Sequence, residues 1–595
     1  MHISLFRPKS RLFVYGTLWV IGTIILVLDY FSPFRGGVSY AQFWVGILFC
    51  MIPAIFLLLD DAFSWRGKAF VLFIWGATLY LPKVLRSPFF FNFQDEIMQF
   101  QTLKLIYESG TVAINPTISG IFMEYPGLEI LDVSLKSVTG LSLFSTGVLL
   151  IGLIHSLAPV FIFLTFKRIT TSDRLAAIGA FVFTCNPSYF FFDSLFSYES
   201  LGILFVVILV FLVSVSYSAQ KRLLFSCLSL VVMSGLVITH HFSSYMFLLF
   251  LAILVIVQFY EKVISKKIVE KKSFAYFLIL TATFVFVWQV YGAPTTLEYF
   301  SSLLTYRIDH ILGFFTSGAQ RVLFSNSPLP NYEILINYLY FPLILLLSGI
   351  GVYFVRRNRL RSTLIFSFIV YGPLLTFLMI PLILTYGEEI AYRSFPFLFI
   401  GVSLMIAYAV KGMIRQKNPL VKVFVLIAVI FIAIGAISLR GDDSGRFAGS
   451  SNLASGPPAI TSDVVYASNW FEQEFGRYNN LIGDRTVNWV FGGYGVQNVW
   501  TFEAWNVFLP KTINKTVTDT IRNLNIKYII VDRRVTEFLA KYGWYFDPAE
   551  IDMKDHPGFG RTQPLPEECI DKFDNTTLVN KIYSNGNINI FRIRP

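Results

Sequence analysis

"FNFQDEIMQFQT", Phe91–Thr102, sets two adjacent carboxylates, Asp95 and Glu96, in a chain of 595 residues that is 55% hydrophobic, 17% aromatic and only 14% charged. A water-soluble domain of ordinary composition carries about a quarter charged residues, and a mean hydropathy of +0.62 points the same way. The chain is that of a membrane protein. Apolar runs long enough to cross the roughly 30 Å of a bilayer core flank the acidic pair on both sides. They lie near 12–30, 41–59, 69–86, 145–166, 173–193, 199–217, 221–239, 242–260, 273–292, 335–355, 361–385, 389–413 and 420–439, about thirteen spans. The first follows Arg7, Lys9 and Arg11 and exits through "LDYFSPFRGG". That exit has no small-residue cleavage pattern, so the run is expected to remain as an anchor.

The net charge of +11 suits basic residues retained on the cytoplasmic side better than nucleic-acid binding. With a cytoplasmic N-terminus, the connections on that side carry Arg66 and Lys68; Lys167, Arg168 and Arg174; Lys221 and Arg222; Lys262, Lys266, Lys267, Lys271 and Lys272; Arg356, Arg357, Arg359 and Arg361; and Lys411, Arg415 and Lys417. A miscounted helix would invert every later loop, so their agreement supports the topology. The opposite, extracytoplasmic side collects Asp95, Glu96, Glu124, Asp193, Glu199, His240, His241, Glu388, Glu389 and Arg393. An ionised group at the middle of a bilayer helix costs about 2.5–3.5 kcal/mol on insertion scales, so these residues are expected at the outer interface or around a cavity.

Three parts follow: a transmembrane domain over 1–440 with a large external loop at about 87–144, a Gly/Ser/Pro-rich linker over 441–460, and an extracytoplasmic α/β domain over 461–595. In the last, "SDVVYASNWFEQEF" has helical spacing, and "IKYIIVDRR" and "INIFRIRP" read as strands. Of four cysteines only Cys569 falls in this tail, which excludes a disulfide within it and speaks equally against a metal site built on cysteine.

Each polar motif has a functional reading and a plain one. "DEIMQFQTLKLIYESG" places Ile97, Phe100, Leu103 and Ile106 at helical spacing, as in a helix lying in the membrane interface. Asp95 and Glu96 then fall in its first turn, where simple capping also explains them. "FMEYPGLEIL" follows, with Glu124 and Tyr125 before a Pro-Gly turn. In "YGEEIAYRSFPFL", Arg393 can offer a planar fork to phosphate or pair with Glu389 at i, i+4. His240 and His241 are helix-end residues or donor ligands. Asp193 and Glu199 flank a turn, where solvated charges would suffice. The external segment 293–334 is long enough for a lid, with Arg307 and Arg321 available for phosphate. Trp489, Tyr494, Trp500, Phe502 and Trp505 make an aromatic patch that a small domain's core would use as readily as a sugar site. Asn514 and Asn575 head glycosylation sequons.

The acidic pair in the first large external loop, the downstream "EYPG", "NPSYFFFDSLFSYESLG" and "THHFSSY" at external turns, and the extracytoplasmic tail together resemble the GT-C class of integral-membrane glycosyltransferases, including the protein O-mannosyltransferase and aminoarabinose transferase group. Three helices rather than one precede the acidic loop, a departure that leaves the subfamily open. The resemblance implies a polyprenyl-phosphate-linked sugar donor and a loop acid as general base, the position matched by Asp95. Glu96 is then its neighbour, binding a sugar hydroxyl or a cation. Arg393, His240, His241, Arg307 and Arg321 are the candidate donor-phosphate ligands, and Glu124, Tyr125, Glu199, Glu388 and Glu389 the candidate acceptor-side residues. The acceptor is a glycan, a lipid or a protein. No cofactor is required by the sequence, and a divalent metal stays open without an H-E-x-x-H or i, i+4 His pair to support it. The competing classes are a lipid-linked sugar flippase, against which the absence of an internal repeat speaks, a polysaccharide polymerase or O-antigen ligase using diphosphate-linked lipids, and a non-catalytic scaffold.

Overall fold

The computed structural model describes residues 8–31, 37–118, 120–216, 222–265, 274–299, 301, 329–358, 362–383, 388–439, 446, 460–540, 543–550 and 561–594. Two compact units divide the chain. The first holds Met1–Arg86, Glu124–Leu128 and Val148–Phe447, and the second Ser87–Met123, Glu129–Gly147 and Ala448–Pro595.

The first unit is helical: α1 Pro8–Tyr30, α2 Gly37–Leu59, α3 Trp65–Arg86, α6 Leu143–Thr170, α7 Asp173–Phe183, α8 Tyr198–Ser216, α9 Arg222–Thr239, α10 His241–Ser265, α11 Ala275–Tyr291, α12 Asn331–Arg357, α13 Thr363–Ile383, α14 Glu388–Ile414 and α15 Pro419–Ser438. Helices α4 Gln94–Ser109 and α5 Gly127–Thr139 lie in the intervening loop. Among the described residues ten helices are long and apolar enough to span a membrane, and Leu224–Thr239 and Ala275–Tyr291 are shorter apolar helices. This is a multi-pass α-helical membrane protein.

The expected run 173–193 is not one helix. Helix α7 ends after 11 residues because Pro187 biases Asn186 away from helical backbone. The Asn186 side-chain oxygen then accepts the N–H groups of Ser188 and Tyr189, both at 3.0 Å, and the chain reaches α8 through buried turns.

Side-chain pairs sort the helix termini into two ends. At one end Arg11 meets Asp60 at 3.3 Å, Arg174 meets Asp61 at 3.4 Å, Lys167 pairs with Asp173, and the Thr363 hydroxyl donates to Glu261 at 2.6 Å. At the other, the Trp44 indole and the Arg446 guanidinium both donate to Glu333, at 2.6 and 2.8 Å, and Ser438 donates to Asn337 at 2.6 Å. The described basic residues of the alternate connections belong to the first, basic end. Helix α14 runs through the middle of its neighbours, and Gly372 and Gly401 let α13 approach it: a Cβ on Gly401 would stand 2.2 Å from the Phe368 carbonyl oxygen. Such small-residue contacts replace hydrophobic exclusion as the packing force in lipid.

The second unit is built on a five-stranded sheet, β1 Asn480–Ile482, β2 Asn498–Trp500, β3 Tyr528–Asp532, β4 Val579–Ser584 and β5 Ile588–Ile593, in the order β2-β1-β3-β5-β4. The pairs β1/β2 and β1/β3 are parallel, β3/β5 and β4/β5 antiparallel. The period-two alternation of strands divides its core. Ile482, Ile529, Val531 and Phe591 face one cluster, with Val517 and Ile521 of α17 Lys515–Asn523. Leu481, Tyr528, Ile530 and Ile590 face the other, closed by Val464 and Phe471 of α16 Ser462–Phe475 and by Ile97 of α4. The apolar face of α4 is therefore covered by protein instead of lying in the membrane interface.

Candidate functional site

The polar residues gathered opposite the basic end of the first unit form one connected group. His240 links α9 to α10 and is fully buried. Its Nδ1 is 2.7 Å from the Ser243 hydroxyl, while its Nε2 has no hydrogen-bond partner among the described residues. Tyr198, at the start of α8, meets the His240 ring edge-on at 4.5 Å between centroids, and the His241 ring lies 4.9 Å from His240 and 5.2 Å from Tyr125. The Tyr125 hydroxyl is 2.9 Å from that of Thr296. Glu124 accepts the Thr295 N–H at 3.3 Å and the Thr296 hydroxyl at 3.4 Å. Gly127 makes this approach possible, since a Cβ there would stand 2.1 Å from the Thr239 hydroxyl. "EYPG" and "THHFSSY" thus meet in space.

Arg393, near the start of α14, adds the cation. Its Nη1 is 3.4 Å from Glu199 and its Nη2 3.0 Å from Glu389, and its guanidinium lies 5.3 Å from the centre of the Phe192 ring. The i, i+4 ion pair is therefore present, joined by a second carboxylate from α8. Glu199 and Asp193 are 1% and 5% exposed, so solvated loop charges do not describe them. Glu388 opens α14, and its side chain lies outside the described residues, as do Arg307 and Arg321. Sequence reasoning passed over Arg86, which ends α3 buried with its guanidinium 5.5 Å from the centre of the Phe191 ring. A basic residue closing a helix on the side poor in Lys and Arg was the available signal.

Asp95 and Glu96 belong to the second unit. Asp95 is half-buried in the first turn of α4. Glu96 is fully buried, and its carboxylate accepts the Phe93 N–H at 3.3 Å, satisfying one of the donors that a helix start leaves open. The carboxyl pair therefore divides: one side chain is partly accessible and the other secures the helix. Replacing Glu96 by alanine is expected to destabilise α4 by about 1 kcal/mol, read as faster hydrogen exchange over 94–109. Glu96→Gln, which keeps an acceptor at that place, should restore most of the protection.

Helix α4 is held against the tail by specific bonds. The Gln101 amide donates to Thr117 and to the Gly492 carbonyl, both at 2.6 Å, and accepts the Ile118 N–H at 3.2 Å. Lys104 pairs with Glu472 at 2.6 Å and donates to the Tyr494 carbonyl at 2.9 Å, while the Tyr494 hydroxyl donates to the Phe91 carbonyl at 2.7 Å. Trp489 and Tyr494 are core, but Trp500 is 39% and Phe502 61% exposed, so the aromatic patch is split between the interior and a sheet edge. Asn514 caps α17 by accepting the Val517 N–H at 3.0 Å.

Helix α5 carries two further buried acids. Burial raises Glu129 to about 8, with the neighbouring Asp132 adding to the shift, and burial likewise raises Asp132 to about 7. Between the ordinary carboxyl range and these values, the folded form keeps protons that the unfolded form has released, so stability falls as pH rises. The protection factor over 129–139, the intrinsic exchange rate at each pH divided by the observed rate, is expected to fall from pH 5 to pH 8, and Glu129→Gln should flatten that dependence. Among the described residues no group of three or more His, Cys, Asp or Glu side chains is placed to hold a metal ion.

The helical architecture has solved counterparts. An oligosaccharyltransferase from Archaeoglobus fulgidus, tethered to an acceptor peptide containing the NVT sequon, aligns with a TM-score of 0.50 and 11% identity over 79% of this chain and 69% of its own. The mycobacterial arabinofuranosyltransferase AftD aligns with a TM-score of 0.52 and 13% identity over 89% of this chain. The fold is that of the GT-C membrane glycosyltransferases. The match spans 40% of the length of AftD. No protein-family model matches the sequence, and no curated protein matches it.

Proposed function

We propose that the protein transfers a sugar from a polyprenyl-phosphate-linked donor to an acceptor hydroxyl or amide at the outer face of the cytoplasmic membrane. The observation that carries this reading is the GT-C fold, with its ionisable and aromatic residues concentrated opposite the basic end. The basic end faces the cytoplasm under the positive-inside rule. The opposite end and the second unit are then extracytoplasmic.

The chemistry needs three things. An acceptor proton must be removed as its oxygen or nitrogen attacks the anomeric carbon, and Asp95 is the base. The bond between that carbon and the phosphate oxygen breaks, leaving its electron pair on polyprenyl phosphate, and Arg393 offsets the growing charge. The donor must also be oriented: the unpartnered His240 Nε2 and the Tyr125, Tyr198 and His241 rings supply one buried donor or acceptor and stacking faces for sugar or isoprenoid. Glu124, Glu199, Glu388 and Glu389 serve the acceptor side, and Arg307 and Arg321 bind the lipid phosphate from the 293–334 connection. Glu96 keeps Asp95 on a formed helix.

Purified protein incubated with a panel of radiolabelled polyprenyl-phosphate sugars and membrane extract tests the reading. Label should move to an acceptor with at least one donor. Label that remains wholly in the donor lipid for every sugar would overturn it.

A further inference from the structure

At the basic end, remote from the group just described, α2, α7, α14 and α15 line an apolar cleft of about 130 Å³. Its walls include Leu58, Phe181, Val410, Val425, Leu426 and Val429, and two cations, Arg174 and Lys422, complete the lining. All of these residues lie in the first unit.

We propose that this cleft seats the headgroup-proximal segment of one acyl chain of an anionic glycerophospholipid, with the lipid phosphate between Arg174 and Lys422. Three of the four helices that form it, α2, α14 and α15, are of membrane-spanning composition, so lipid hydrocarbon is the medium against which the exposed Leu426 of α15 opens. From Lys422 to Val429 is seven residue rises, about 10 Å along α15, which sets cationic and apolar lining at opposite ends of one groove. Lys422 makes no ion pair among the described residues. Among the described residues Arg174 pairs only with Asp61, at 3.4 Å, with side chains 39% and 77% exposed, a pairing weak enough for a phosphate to displace. A basic pocket between helices at the end rich in Lys and Arg is the setting in which anionic headgroups are recognised. The inference does not depend on the proposed reaction.

Native mass spectrometry of the full-length protein in detergent, titrated with dioleoylphosphatidylglycerol or dioleoylphosphatidylcholine, tests it. The anionic lipid should be retained in preference, by about fivefold for each cation engaged. The Arg174→Gln/Lys422→Gln variant should lose that preference, and Leu426→Trp, which fills the groove from its lipid side, should lower retention of both lipids. Lys422→Gln alone, expected to lose about half of the preference on the logarithmic scale, stands in if the double variant elutes as aggregate. Equal retention of the two lipids, or a preference unchanged by the charge variants, would overturn the proposal. So would undecaprenyl monophosphate displacing the phosphatidylglycerol in a manner abolished by those variants, since the occupant would then be an isoprenoid phosphate.

Discussion

Asp95→Asn is expected to lower the rate of sugar transfer by about 10²–10⁴-fold, the range that a positioned general base supplies. The substitution keeps the size of the side chain and its place in the first turn of α4 but removes the lone pair that takes the acceptor proton. It also lowers the negative charge that the helix dipole favours there, a term of about 0.3–1 kcal/mol, far too small to unfold the second unit. Activity and stability should therefore separate. Thermal unfolding would move by only a few degrees while turnover falls by orders of magnitude. The Glu96 variants should show the reverse: Glu96→Ala loosens the helix, while Glu96→Gln keeps most of both its protection and its transfer. If Asp95→Asn and Glu96→Gln lost activity equally and in proportion to lost protection of α4, Asp95 would be a capping residue and nothing more.

The second large effect is expected at Arg393. Removing a preorganised group from a developing charge costs about 10²–10³-fold in turnover, and Arg393→Ala should fall in that range. Arg393→Lys keeps the charge without the fork, so it should recover part of the rate but not all of it. Glu389→Gln separates this role from the ion pair: Glu389 is half-exposed, and such surface pairs contribute about 0–1 kcal/mol. Thermal unfolding of Glu389→Gln should therefore stay close to wild type, so that a rise in acceptor KM in this variant reads its place on the acceptor side and not the loss of the pair. Glu199, almost fully enclosed beside the same guanidinium, makes Arg393→Ala a test of folding as well. Rates therefore have to be taken on the monodisperse fraction, and a variant that folds normally and transfers normally would remove Arg393 from the mechanism.

Much of this architecture was legible before any coordinates. Apolar runs of membrane length can only be helices, because lipid offers no partner for open backbone groups. The alternation of basic connections assigned each terminus to an end, and pairs such as Arg11 with Asp60 at one end and Trp44 with Glu333 at the other follow it. The strands "YIIVD" and "INIFRI" and the helix over 462–475 declared themselves by period. What stayed hidden depends on long-range packing. Helical spacing in "DEIMQFQTLKLIYESG" cannot say whether the apolar face meets lipid or protein, and Ile97 in fact fills the place left open at Gly493, where a Cβ would stand 2.1 Å from it. Nothing local separates Trp489 and Tyr494 from Trp500 and Phe502 either, since only the sheet decides which aromatics it covers. The burial of Glu199 was likewise invisible, because its partner Arg393 stands 194 residues away.

The contacts of α4 also give the C-terminal residues a part in the account. Lys104, Gln101 and Phe91 each bond to the tail, so the tail braces the helix that carries Asp95. Stiffening a catalytic group through a supporting shell is how a site keeps its geometry, and a C-terminal domain that served only as a surface anchor would not need those bonds.

The most direct test of the central claim is the identity of the lipid that the reaction leaves behind. With a labelled polyprenyl-phosphate sugar and an acceptor present, chromatography and mass spectrometry should detect free polyprenyl monophosphate formed one for one with sugar transferred, and little of it with Asp95→Asn. Polyprenyl diphosphate as the product from a diphosphate-linked donor, or intact donor carried across a vesicle bilayer with no lipid released, would contradict the account.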